Sequence, residues 1–250
     1  MKFTRIVSIL CFFVAASMAH AAQVVYYGEN LTPGGTVSGA PAAARSAFIG
    51  LLSGVVNEDF EGFAVGDLAP LPLSFAGSTL SGSGAVENVT TNGLFNTTSG
   101  GSQWWAAASA FNIAFSTPIG AFGFYGTDIG DFGGKLILTL TDISDVVTTL
   151  TVPHLIDIGQ DGALLFFGFI DSSNAYKSIA FGNTGNNLDF FGFDDMVFGN
   201  PVQGCVTNCG TVSEPDMLAL LVSGLAGLAL TRRRQQARTK QQSSNTSVVR

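Results

Sequence analysis

Histidine, cysteine and cations are scarce in this 250-residue chain. Of its two histidines, His20 sits in the leading apolar segment, which leaves His154 for the body. One histidine cannot build a multi-histidine zinc site. No Gly-x-Ser-x-Gly elbow is present to partner it in a nucleophilic triad. No Gly-Lys-Ser/Thr loop is available to cradle a phosphate. Between residues 23 and 210 the cations are Arg45, Lys135 and Lys177, set against sixteen of the chain's eighteen Asp and Glu. A body this acidic has no positive footprint for nucleic acid and excludes it as a partner.

The termini carry the clearest signals. Lys2 and Arg5 precede an apolar run over residues 6–16, broken only by Ser8, and Ala19-His20-Ala21 follows. A positive start, a short apolar core and a small-x-small exit define a secretory signal peptide over residues 1–22, read by signal peptidase. The run is too short for a permanent span, which takes about 20 apolar residues. Cys11 leaves with that segment, so Cys205 and Cys209 remain, in the linker 204–212. Outside the cytoplasm such a pair reads as a disulfide. At the other end, Ser213-Glu214-Pro215 leads into residues 218–230, which carry no charge, and then into Arg232, Arg233 and Arg234. The Arg cluster orients this segment with its C-terminal side toward the cytoplasm. At ~1.5 Å per residue the apolar helix covers only about 20 Å of a roughly 30 Å hydrocarbon core, which suits a temporary stop at the inner membrane. Residues 235–250 are polar and aperiodic, the pattern of disorder.

The order Ser-Glu-Pro, apolar stretch, Arg-Arg-Arg over residues 213–234 resembles the PEP-CTERM sorting signal. The resemblance implies an exosortase-like processing enzyme as partner and an inner-membrane intermediate. It further implies delivery to the cell surface or extracellular matrix of a Gram-negative bacterium that makes exopolysaccharide. Two features depart from the family: Ser213 stands where the motif has its first Pro, and sixteen residues follow Arg234.

The remaining body, residues 23–203, has the length of one domain. Gly, Ser, Thr and Asn are abundant and Phe reaches 21 residues. These Phe residues argue against disorder, since each buried ring contributes about 1.5–3 kcal/mol. Residues 41–53 predict one short helix, with Ala44, Phe48, Leu51 and Leu52 on one face. Strands are expected at 23–27 and 57–64. From residue 103 onward, period-two runs at 111–115, 122–124, 135–141, 146–152, 164–170, 177–181 and 188–198 are separated by Gly, Asn, Asp and Pro turns. About ten such strands predict an all-β fold, a jelly-roll-like antiparallel β-sandwich. The segments Asp59-Phe60-Glu61, residues 119–124 and residues 193–199 resemble extracellular sandwich domains found in PEP-CTERM proteins. That likeness implies kinship with lectin-type and carbohydrate-binding jelly rolls, in which terminal strands pair and Glu61 approaches Asp195.

Two ligand chemistries follow. Acids without cationic partners invite a divalent cation, and Ca²⁺ takes 6–8 oxygens. The expected ligands of a structural Ca²⁺ are Glu61 and Asp195, with Asp59, Asp128 and Asp131 nearby. Asp59 and Glu61 share a face if extended, whereas Asp194 and Asp195 point to opposite faces. For carbohydrate, Trp104 and Trp105 place two indoles on opposite faces, one inward and one free to stack on a sugar. The main expectation is a non-catalytic exported surface or matrix protein associated with exopolysaccharide. The alternative is a carbohydrate-active enzyme, a glycoside hydrolase or lyase using paired carboxylates, or a lectin-like binder.

Overall fold

The computed structural model describes residues 23–202, apart from 76, 108–109, 132, 157–160 and 186–189. All of them lie in the first of two units, residues 1–207. The expected signal peptide, the Cys205 and Cys209 linker, the sorting motif with its apolar helix and Arg cluster, and the polar tail fall outside the described residues. Among the described residues no helix is long and apolar enough to cross a membrane.

The element order is β1 (Val24–Asn30), α1 (Gly39–Ile49), β2 (Leu52–Glu58), β3 (Leu71–Pro72), β4 (Ser78–Gly82), β5 (Ala85–Glu87), β6 (Trp104–Ala107), β7 (Phe111–Ile119), β8 (Ala121–Thr127), β9 (Leu136–Asp142), β10 (Val147–Thr151), β11 (Leu164–Ile170), β12 (Tyr176–Asn183) and β13 (Phe191–Pro201). A seven-stranded sheet runs β1-β11-β8-β13-β6-β5, with β2 also on β13, and a six-stranded sheet runs β10-β9-β12-β7-β4-β3. Their pairings are antiparallel. The fold is therefore all-β, a jelly-roll-like sandwich with one short helix.

Burial explains two textures of sequence. The six-stranded sheet has one wet face, so β9 alternates: Leu136, Leu138 and Leu140 are buried and the residues between them are partly exposed. The seven-stranded sheet is covered on both faces, so β8 and β11 are buried along their whole length and read as continuous apolar runs. Its inner face meets the other sheet through Phe rings. Phe111 stacks on Phe181 at 4.1 Å between centroids, and Phe193 sits edge-on to Phe111 at 5.0 Å. Such pairs add about 0.5–1.5 kcal/mol each beyond area burial. Its outer face is covered in part by α1, whose Phe48 is fully buried. Phe48 lies over Gly123 and Gly168, where an added Cβ would stand 3.1 Å from its ring.

One edge of β13 is shared. Phe191 to Phe193 pair with β6, while Met196 to Pro201 pair with β2. The last strand thus pairs with the second, β2, whereas the first, β1, pairs with β11, so the two terminal strands do not pair with each other as the jelly-roll likeness implied. Between the two partners β13 shifts register, and Asp195 adopts a left-handed φ of 46°. Asp194 and Asp195 occupy this bulge.

The expected strand at 57–64 is corrected. β2 ends at Glu58, and the chain then turns through Phe60 at φ 57°. Local side-chain bonds cause the turn: Glu58 Oε1 accepts from Phe60 N at 3.0 Å, and Asp59 Oδ1 accepts from Glu61 N at 3.1 Å. Acids that grip the backbone two residues on compete with strand pairing. Asp59 and Glu61 therefore do not share a strand face. The helix begins and ends earlier than the apolar pattern suggested, at Gly39 and Ile49. The Gly- and Ser-rich region before residue 103 contributes three further short strands, β3 to β5.

Candidate binding cleft

The part of the outer face that α1 leaves uncovered is roofed by the long connection from β5 to β6. Two carboxylates fasten this loop from below. Asp194 Oδ2 accepts from Thr97 N at 2.7 Å, Thr97 Oγ1 at 2.9 Å and Thr98 N at 3.2 Å. Glu61 Oε1 accepts from Ser102 N at 2.5 Å and Gln103 N at 2.6 Å. Asp194 is 1 % exposed. Burial, reinforced by the neighbouring Asp195 charge, pushes its carboxyl up to about 7, against the hydrogen bonds from Thr97 and Asp195 that favour the ionised form.

Between this loop and the β1–α1 connection lies a cleft of about 590 Å³. Its polar lining comes from Thr32, Asn88, Thr90, Asn96 and Ser102, and Leu31 supplies exposed apolar surface, with Phe95 and Trp104 buried beneath. That volume and mix fall within the usual range for small-molecule sites, about 300–1,000 Å³. Asp161 is its one ionisable lining residue among those described. A second depression of about 460 Å³ adjoins it. The segment from residue 87 to 91 is the partition: Asn88 and Thr90 face the first space, whereas Glu87, Val89 and Thr91 face the second. Trp104 borders both. The second space is more apolar, with Val89 64 % and Phe190 52 % exposed at its rim.

The expectation of an exposed indole platform is corrected. Trp104 is 1 % exposed and Trp105 is buried completely. Their side chains do point to opposite faces of β6, but both faces of this sheet are covered. Trp105 joins the inter-sheet core against Phe60, at 6.4 Å between ring centroids. Trp104 packs with Leu94 and Ala106 beneath the loop.

The acids divide into two groups. Asp128, Asp131 and Asp161 each bring one carboxylate oxygen within 4.8 Å of the others, so these three can hold a divalent cation. Asp128 is buried in a left-handed turn, φ 63°, and accepts from Gly162 N at 2.9 Å. The turn at Gly93 rests on it so closely that a Cβ there would lie 2.2 Å from Asp128 Oδ1. Asp161 was not singled out from the sequence, because nothing local ties it to Asp128. The expected ligands Asp59, Glu61 and Asp195 do not belong to this group. Asp59 and Glu61 instead accept backbone N–H groups. Asp195 accepts from Asn57 Nδ2 at 2.6 Å and lies 4.0 Å from Arg45. The opposite-face expectation for Asp194 and Asp195 also fails, since both reach Thr97 Oγ1. The bulge turns them to one side.

Among the described residues, the contacts of the His154 ring nitrogens are to backbone carbonyls. Its Nε2 lies 3.0 Å from Gly134 O and its Nδ1 3.3 Å from Ile156 O.

No family model matches the chain, and no curated protein matches it. Among solved structures, the K2 cleaved adhesin domain of Lys-gingipain aligns with a TM-score of 0.39 and 14 % identity, over 58 % of this chain and 97 % of that one. The K1 adhesin domain of Lys-gingipain from Porphyromonas gingivalis W83 aligns with a TM-score of 0.38 and 9 % identity, over 60 % and 100 %. The C-terminal family 22 carbohydrate binding module of Clostridium thermocellum Xyn10B aligns with a TM-score of 0.34 and 14 % identity, over 58 % and 92 %. Similarity at this level leaves function to be argued from the residues of this chain.

Proposed function

We propose that this chain is an exported, non-catalytic β-sandwich module that binds a saccharide in the cleft beside Trp104. The carrying observation is the lining of that cleft: hydroxyl and amide side chains, and no cation, among the described residues. A saccharide presents the complement, hydroxyls for Asn88, Thr90 and Ser102. The carboxylates of the 58–61 turn are bound to backbone N–H groups, so they serve the fold rather than acid–base chemistry. The termini supply the route in this reading. The signal peptide is removed, the tail pauses in the inner membrane, and an exosortase-like enzyme processes it near Pro215. The mature domain then meets exopolysaccharide at the cell surface or in the matrix.

The test is calorimetric titration of the purified domain with soluble glycans, beside Asn88→Ala and a space-filling Thr90→Trp. Both positions are exposed, so folding should be kept. Binding by the native domain, weakened by both substitutions, is the expected result. Equal affinities in all three proteins would remove the cleft from the reading, and silence across the panel would remove the saccharide.

The carboxylate trio favours a second reading, for the metal-bound state. A structural Ca²⁺ at Asp128, Asp131 and Asp161 would tie the turn after β8 to the chain entering β11.

A further inference from the structure

The charges around the cleft say more than its shape, and they narrow the ligand class. The described domain has three cations, and each is engaged or placed elsewhere. Arg45 Nη2 donates to Asn57 Oδ1 at 3.0 Å, and its guanidinium lies 5.6 Å from the Tyr125 ring centroid. Lys177 is paired with Asp145. Lys135 borders a separate depression with His154. The cleft itself offers neutral polar groups and one carboxylate, Asp161. Behind Asp161 stand Asp128 and Asp131, within the same 4.8 Å group. In the metal-free domain the field inside the cleft is therefore negative, with no side-chain cation among its described lining to offset it.

We infer that the cleft selects uncharged saccharides and rejects uronate-, sulfate- or phosphate-bearing ones, with Asp161 as the residue that sets this choice. The inference rests on the saccharide reading above. Its physical basis has two parts. An exposed carboxylate at the wall accepts hydroxyl hydrogens from a neutral sugar, making charge-assisted bonds. The same carboxylate meets an anionic sugar with like-charge repulsion, and nearby carboxylates add to it. Rejection by unpaired like charge is a common route to specificity. The neutral linings Asn88, Thr90 and Ser102 are indifferent to ligand charge, so discrimination falls to Asp161 and the acids behind it.

The experiment compares neutral glucan and galactan oligosaccharides with uronic-acid counterparts of equal length, by titration against the intact domain in EDTA at low ionic strength. Neutral ligands should bind at least about tenfold more tightly, a difference of about 1.4 kcal/mol. Adding salt to about 0.5 M should narrow the gap, because the Debye length shrinks to about 4 Å. Asp161→Asn should narrow it at low salt, and Asp161→Lys should reverse the order. Asp161 is exposed, so both variants keep the fold. Uronates bound as tightly as neutral chains, or an unchanged ratio in Asp161→Asn, would overturn charge selection while leaving saccharide binding intact. Failure of every glycan to bind would instead end the saccharide reading and this inference with it.

Discussion

Asp194 and Asp195 are neighbours in sequence, yet both carboxylates converge on one hydroxyl, Thr97 Oγ1, at 2.9 and 3.3 Å. Regular strand geometry sends consecutive side chains to opposite faces. The bulge in β13, at the place where its edge passes from β6 to β2, brings them together. Two acids so close, one of them almost fully buried, are tolerated because Thr97, Thr98, Asn57 and Arg45 surround them with donors.

The buried member of this pair gives a pH signature. An unfolded Asp carboxyl ionises near 3.8, whereas Asp194 in the fold holds its proton up to about 7, mainly through burial. Between those values the folded chain keeps a proton that the unfolded chain has released. Raising the pH through this window therefore lowers stability on account of this group. Urea midpoints at pH 4, 5.5 and 7 should fall in that order, and Asp194→Asn should flatten the trend.

Glu61 is expected to matter through the loop it fastens. Glu61→Ala leaves the N–H groups of Ser102 and Gln103 without their acceptor, at a cost of about 1–3 kcal/mol. Saccharide affinity should weaken together with the urea midpoint, because Ser102 lines the cleft. Glu61→Gln, which keeps an acceptor oxygen, should recover most of both.

The covering of the seven-stranded sheet by α1 depends on Phe48. Phe48→Ala should lower Tm by roughly 10 °C, from a loss of about 3–5 kcal/mol. Gly168→Ala tests the same contact from below. Its Cβ would stand 3.1 Å from Phe48 Cδ2 and 3.2 Å from Phe166 Cε1, so overpacking should cost about 1–3 kcal/mol.

Calcium provides the fourth test. At about 100 times the dissociation constant a ligand of the folded state stabilises by about 2.7 kcal/mol. Millimolar Ca²⁺ should thus raise Tm relative to EDTA by several degrees, and Asp131→Asn should abolish the shift. Identical melts in EDTA and calcium would rule the ion out.

What the sequence made legible tracks burial. β9 and β7 were readable because one side of their sheet is wet, and their apolar residues alternate. β8 and β11 were expected as period-two strands, and their burial on both faces came only with the structure. The turn at residues 58–61 was not, since an alternating acid–Phe–acid pattern looks like a strand until its carboxylates are seen to bond the backbone beside them. Trp104 and Trp105 were correctly set on opposite faces, but nothing in Gln103-Trp104-Trp105 signals that a remote loop covers the second face. Asp128 and Asp131 were grouped from their shared Gly-rich loop. Asp161 escaped notice because its approach depends on the pairing of β8 with β11.

The fasteners beneath the cleft hold peptide groups in part rather than side chains. Glu61 grips Ser102 and Gln103 by their backbone N–H alone, and Asp194 reaches the N–H groups of Thr97 and Thr98. At Ser102 and Gln103 such anchoring does not depend on the side chain, whereas Thr97 is held by its hydroxyl as well. Ser102, exposed and held to Glu61 by its N–H, can therefore change side chain, and with it the lining of the cleft, while that anchor stays in place.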